Sequence, residues 1–207
     1  MFRRTLLASA LLPVLPSLAL AQAAAGNRAA TLARVEAYLN GLTTLRARFL
    51  QISQRGGSAE GTALIWRPGR MRFEYDPPEP LLLVASDGQV LHYDKELRQP
   101  SIVPVSSTPL GFLLRTRISL TSGDLEVMAL ERGGGLLRVG LRRREAPSEG
   151  NLVLVFAEEP MELRQWVVTD AQGQQTRVTL TEIQTGVRFD PLIFAFNDPR
   201  FFETQVR

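Results

Sequence analysis

Trp66-Arg67-Pro68-Gly69-Arg70-Met71-Arg72-Phe73-Glu74-Tyr75 is the stretch that decides the fold of this chain. Pro68-Gly69 is a turn pair, and beyond it Met71, Phe73 and Tyr75 alternate strictly with Arg70, Arg72 and Glu74. Successive side chains of a strand point to opposite faces, so an apolar–charged alternation of period two marks a half-buried β-strand. Gly61 to Trp66 reads as the strand before the turn. A link this short leaves only antiparallel pairing, because parallel strands need long crossovers.

The same pattern continues outward in both directions. Pro77, Pro78 and Pro80 punctuate the next connection, and Leu81–Ala85 and Val90–Tyr93 flank Asp87-Gly88, a strong hairpin signal. Further strands are expected at 97–104, 124–132, 136–143, 151–157, 161–169 and 175–184, with Gly133-Gly134-Gly135 and Ala171-Gln172-Gly173 as turns. One break interrupts the succession. Ser106 to Arg117 carries Pro109, then Leu110, Phe112, Leu113 and Leu114, and reads as a short apolar helix opened by a proline.

Upstream, past a Gly56-Gly57-Ser58 loop, Leu45, Ala47, Phe49 and Gln51 point one way and Arg46 and Arg48 the other. Before Thr43 the period changes. Leu32, Val35, Leu39 and Leu42 recur at helical spacing over residues 28–42, and Gly41 marks the stop. The expected fold class is mainly β (α+β): one antiparallel sheet, long enough to curl, with two apolar helices over its concave face.

The N-terminus has a different character. Arg3 and Arg4 precede an apolar stretch, Leu6–Leu20, broken by Pro13 and Pro16, and Ala19-Leu20-Ala21 offers a small-x-small cleavage site before Gln22. The stretch is short for a membrane span and reads as a cleaved export signal, residues 1–21, with a single domain over 22–207. No cysteine follows it, so the mature chain is expected to be soluble in an extracytoplasmic space.

Composition narrows the function. The formal charge of +3 falls to +1 without Arg3 and Arg4, and the one basic cluster, Arg142-Arg143-Arg144, closes an expected strand as a solvated hairpin end. No nucleic-acid partner is expected from so balanced a charge. The absence of cysteine removes disulfides, thiol catalysis and thiolate metal sites together. His92 is the only histidine, no G-x-S-x-G elbow or D-x-[DN]-x-[DN]-G loop occurs, and no glycine-rich phosphate loop opens a helix. The expectation is a protein that is not an enzyme, with no catalytic residues, no metal and no cofactor. Apolar surface remains, either a filled core or a greasy cavity, and composition does not choose between them.

Several motifs together resemble the LolA family of periplasmic lipoprotein carriers. Phe49-Leu50-Gln51 is similar to that family's F-x-Q element, and the stretch from Trp66 to Tyr75, with Pro77 after it, to its R-P-x-x-x-x-W/F-x-Y…P signature. Val84-Ala85-Ser86-Asp87-Gly88 with Leu91-His92-Tyr93-Asp94 resembles its V-S-D-G hairpin, though His92 stands where many members carry tryptophan. Thr108–Leu114 looks like its lid helix and Phe194–Pro199 like its closing F-x-F…P element. The chain ends eight residues after Pro199, so the longer C-terminal extension of some members is not expected.

The resemblance implies an incomplete antiparallel β-barrel whose hydrophobic cavity lies under a helical lid. It implies a periplasmic carrier, acting as a monomer, that shelters the acyl chains of lipoproteins. Its partners would be those acylated lipoproteins, an inner-membrane ATP-driven exporter and an outer-membrane receptor. A lipid-binding or envelope-sensing paralogue with different cargo is the alternative on the same scaffold. The expected cargo-lining residues are Leu45, Phe49, Met71, Phe73 and Tyr75 on the strands, with Leu110, Phe112 and Leu113 on the lid. Arg67 is the expected lid latch, because the matching arginine of the family bonds backbone carbonyls of the lid and first helix. Here those would belong to residues near Leu39, Leu113 and Leu114.

Overall fold

A computed structural model describes residues 17–196 apart from 109, with side chains from residue 26 onward. Pro109, the Asn197–Pro199 part of the expected closing motif, and residues 1–16 of the expected export signal lie outside the described residues. A helix, α1 (Ser17–Gly41), precedes eleven strands. These are β1 (Thr44–Ser53), β2 (Ser58–Trp66), β3 (Arg70–Tyr75), β4 (Leu81–Ser86), β5 (Gln89–Asp94), β6 (Gln99–Pro104), β7 (Leu125–Gly133), β8 (Leu136–Arg143), β9 (Asn151–Glu158), β10 (Met161–Thr169) and β11 (Gln175–Thr185).

All eleven strands form one curved, open sheet in the order β6-β5-β4-β3-β2-β1-β11-β10-β9-β8-β7, antiparallel throughout. The hairpin read from Trp66 to Tyr75 pairs Ile65 with Met71 and Ala63 with Phe73. Asp87 and Gly88 both adopt positive φ, 49° and 77°, as a tight hairpin turn requires. Register breaks opposite Arg46/Arg48, at Leu163/Gln165 and at Val127/Ala129 put extra residues into β11, β10 and β7. Bulges of this kind bend a strand and increase its twist, which helps a sheet to curl.

The topology fixes where the barrel fails to close. Its two edges, β6 and β7, are consecutive in sequence, so the segment between them, residues 105–124, must cross the open seam. This strap and α1 cover the inner face. Leu32, Val35, Leu39 and Leu42 of α1 join Phe112, Leu113, Ile118 and Leu120 of the strap in one core with the inward residues of the sheet. At its centre Phe49 lies 5.2 Å from Phe73 and 5.0 Å from Tyr75, and Phe73 lies 6.0 Å from Trp166, ring centre to ring centre. Gly61 pairs with Phe49 across β1 and β2, and a Cβ there would stand 2.7 Å from its ring and 2.2 Å from the Glu74 carbonyl oxygen. Only glycine allows the aromatic group to lie flat on the sheet.

A second, smaller core sits on the outer face, where Leu82, Val84, Leu91 and Tyr93 pack against Phe194 of a final 3-10 turn. Arg72 belongs to this side. It alternates outward as read, yet is buried, donating from Nη1 to the Ile193 carbonyl at 3.1 Å and from Nη2 to Glu74 at 2.7 Å.

Two sequence expectations need correction. The helix expected at 28–42 begins at Ser17, because the alanine-rich run before Gly26 favours helix strongly. The helix expected between Ser106 and Arg117 does not form. The strap carries two 3-10 turns instead, Val105–Ser107 and Gly111–Leu114. Ser107 and Thr108 donate from their hydroxyls to the carbonyls of Pro104 and Val105, both at 2.7 Å, which offers the backbone a turn in place of a helix. Gly111 then lets the chain fold back on itself, since a Cβ there would lie 2.1 Å from the Val105 carbonyl oxygen. No described helix is long and apolar enough to cross a membrane.

Candidate functional site: the strap over the seam

Arg67 follows the last residue of β2, and its backbone N–H donates to the Thr43 carbonyl at 2.7 Å. Alternation turns its side chain inward with Ala63 and Ile65, where it is only 9% exposed. There its Nη1 donates to the carbonyls of Leu39 and, at 3.4 Å, Leu42, while Nη2 donates to the Arg115 carbonyl at 2.7 Å. Leu39 is in the last turn of α1 and Leu42 just beyond it, so these carbonyls are among those without a helical partner and sit at the end of the helix dipole that attracts cations. Guanidinium therefore ties the end of α1 to the strap.

The carbonyls were expected from residues near Leu39, Leu113 and Leu114, and those that the guanidinium uses are Leu39, Leu42 and Arg115. The Leu114 carbonyl is taken by the Gly69 N–H at 2.8 Å, from the β2–β3 turn itself. With a 3-10 turn in place of a helix, the carbonyl presented to Arg67 is that of Arg115, which closes the turn in an extended conformation. The Arg67 Nε is buried without a partner, and burial pushes the guanidinium pKa down from its ordinary value. The contact is thus opposed by desolvation while it is favoured by its bonds.

The structure brings the expected cargo-lining residues together. Leu45, Phe49, Met71, Phe73 and Tyr75 are buried in the inner core, with Phe112 and Leu113 beside them and Leu110 half-buried against them. Tyr75 donates from its hydroxyl to Gln51 at 2.8 Å, and burial, helped by the charge of Glu79, pushes its phenol up to about 12. These residues fill the space by packing on one another.

Open space lies beside them. A cavity of about 480 Å³ occupies the seam, and of the eight expected residues only Phe112 lines it. Its apolar floor is Phe112 with Leu125, Leu141 and Leu152 from β7, β8 and the start of β9, and its roof is the first 3-10 turn. Sequence reading missed these three leucines as site residues, although Leu141 continues a legible alternation with Leu137 and Val139. Arg115, Arg142 and Arg143 stand at its rim; the last two belong to the basic cluster read from sequence only as a solvated hairpin end. Arg143 donates from Nη1 to the Ser106 carbonyl at 3.2 Å, across the seam, and also pairs with Glu149. Arg142 pairs with Glu126 at 2.9 Å, and Arg144 donates to the Leu125 carbonyl at 3.4 Å.

Within the strap, Arg115 donates two bonds of 2.6 Å to Asp124, and these hold the Asp124 carboxyl below the usual carboxylate range. A depressed carboxylate pKa adds stability that is present above the unfolded value of about 3.9 and lost as pH falls through the folded one. Both side chains are two-fifths exposed, so the gain stays within about 1 kcal/mol. Asp124→Asn is expected to melt slightly below wild type at pH 7, with the gap closing as pH falls below 4. A gap unchanged across that range would assign the difference to something other than this pair.

His92 is exposed on β5, and no group of three or more histidine, aspartate or glutamate side chains able to hold a metal occurs among the described residues.

The chain matches the family model described as outer membrane lipoprotein carrier protein LolA over residues 40–197. A protein of Methylococcus capsulatus named outer-membrane lipoprotein carrier protein is 28% identical over 80% of this chain and 83% of its own. One of the same name from Alkalilimnicola ehrlichii is 31% identical over 84% of this chain and 82% of its own. Among solved structures, a LolA superfamily protein from Nitrosomonas europaea aligns with a TM-score of 0.43 at 8% identity, covering 79% of this chain and 97% of that one. The family match begins at Asn40, near the end of α1, and runs to residue 197, so it spans all eleven strands, the strap and Arg67. This chain belongs to the LolA family.

Proposed function

We propose that the mature protein carries lipoproteins through the periplasm, sheltering their acyl chains under the strap. The observation that carries this reading is the seam: a sheet left open between β6 and β7, a strap across the gap, and an apolar-floored cavity beneath it. Each methylene moved from water into such a space contributes about 0.8 kcal/mol, so burial alone drives uptake without covalent chemistry. An exporter in the inner membrane, powered by ATP, supplies the cargo, and a receptor at the outer membrane receives it. Carriage makes and breaks no covalent bond, which suits a chain with one exposed histidine and no cysteine.

A carrier of this kind serves every outer-membrane lipoprotein at once. Depleting it is expected to strand those lipoproteins on the inner membrane and stop growth, read by fractionating the envelope. Normal sorting in a depleted strain would reject lipoproteins as the cargo and favour another lipid on the same scaffold.

A further inference from the structure

The two halves of the strap are held in different ways. Glu36 and Asn40 lie four residues apart on α1 and so share one side of the helix. Asn40 donates from Nδ2 to the Ile118 carbonyl at 2.8 Å and accepts at Oδ1 from the Ile118 N–H at 2.9 Å, a two-bond clasp on a single residue. Glu36 Oε1 accepts from the Leu120 N–H, from the Thr121 N–H at 3.1 Å and hydroxyl at 3.3 Å, and from the Ser119 hydroxyl at 3.4 Å. A carboxylate facing consecutive backbone N–H groups makes charge-assisted bonds, stronger than neutral ones. The trailing half of the strap, Ile118–Thr121, is therefore fastened by its backbone to α1, over the buried side chains of Ile118 and Leu120.

The leading half has no such fastening. The first 3-10 turn is joined to the rest by the Val105 N–H on the Gly88 carbonyl at 2.9 Å and by the exposed Arg143 contact at Ser106. The second turn is held by the burial of Phe112 and Leu113, and at its end by the Gly69 bond and Arg67. Release of Arg67 thus removes the guanidinium tie of the leading half, which is then held by the Gly69, Val105 and Arg143 bonds and by burial, and leaves the trailing half clasped. The leading half is also the side that roofs the seam cavity.

We propose that Glu36 and Asn40 are positioning residues of cargo exchange. They hold Ile118–Thr121 as the fixed post of a one-sided flap, so the strap opens only along its two 3-10 turns, and an alkyl chain passes through the seam cavity on that side. The passage of an alkyl chain rests on the carrier reading. The fixed post does not.

Hydrogen exchange of the whole mature chain without ligand tests the post. Amides of the second 3-10 turn are expected to exchange about tenfold faster than those of Ile118–Thr121, as separately opening segments do. Glu36→Ala and Asn40→Ala should each raise exchange at 118–121 by about tenfold while the sheet stays protected, and Glu36→Gln, which keeps an acceptor oxygen, should stay within about twofold of wild type. Equal exchange in the two halves of the wild type, or a rise spread evenly over the sheet in both alanine variants, would overturn the proposal.

The absence of cysteine makes a second test clean. Ser106→Cys with Arg143→Cys, joined by a short bis-maleimide, should slow uptake of a dansyl-labelled undecanoic acid by about tenfold relative to the unjoined pair. Undiminished uptake would mean the chain passes elsewhere. A wild type that does not bind the probe at all would count against alkyl cargo and against the passage, while the exchange pattern would still decide on the post.

Discussion

Arg67→Leu is expected to take up acyl cargo as well as wild type and to pass it on about tenfold more slowly or worse, since each 1.4 kcal/mol is tenfold and charged-donor hydrogen bonds contribute about 1.5–3 kcal/mol each. The guanidinium bonds three carbonyls, those of Leu39, Leu42 and Arg115, and so joins the end of α1 to the strap only when the strap is shut. It is held shut at a cost. Burial opposes the charge and leaves Nε without a partner, so opening returns the group to water and refunds part of what closing demands. If Arg67 is the latch, a contact balanced in this way is expected to yield to entering acyl chains and, by re-forming, to help expel them. Leucine removes the re-forming contact and leaves the carbonyls bare, while uptake through an open strap is unaffected. Arg67→Lys keeps the charge but loses the planar fork that spans α1 and the strap, and is expected to fall between the two. Transfer from preloaded protein to acceptor vesicles bearing the receptor measures the effect. Equal transfer by Arg67→Leu and wild type would remove the latch from the account.

Phe73→Ala is expected to lose about 3–5 kcal/mol of stability, the usual cost of deleting a buried phenyl group and leaving a hole. Phe73 is 4% exposed, between Phe49 and Trp166 at the centre of the inner core. Against a total of about 5–15 kcal/mol this leaves a folded but weakened protein. The informative result comes on adding decanoic acid. If Phe73 lines the cargo space, an alkyl chain occupies the hole, and the melting temperature should rise more in the variant than in the wild type. An equal rise in both would place Phe73 outside the space that cargo reaches. Met71→Glu, at the less buried margin of the same strand, should abolish binding of the acid.

Much of the fold was legible because it rests on local pattern. Alternation of Met71, Phe73 and Tyr75 against charged neighbours placed β3, and turn pairs such as Asp87-Gly88 set the pairing of adjacent strands. Helix against 3-10 turn in the strap was not legible, since apolar spacing over Leu110–Leu114 is the same for both. There the decision fell to the Ser107 and Thr108 hydroxyls and to the close approach at Gly111. The candidate site divides along the same line. Inward residues of one strand can be read from their period, and Leu45, Phe49 and Phe73 do meet. Leu125, Leu141 and Leu152 meet at the seam only because β7, β8 and β9 are paired there, and the volume left between them depends on side chains far apart in sequence. The latch shows both cases in one residue: its inward direction follows from alternation with Ala63 and Ile65, whereas its partner at Arg115 depends on how the strap turns.

Carriage of lipoproteins is tested most directly by release. Inner-membrane vesicles holding a newly exported triacylated lipoprotein and an active exporter should, on addition of purified mature protein and ATP, give up that lipoprotein as a soluble complex with the protein. Lipoprotein that stays wholly with the vesicles, while the same exporter releases it to a carrier already known to act, would contradict the account.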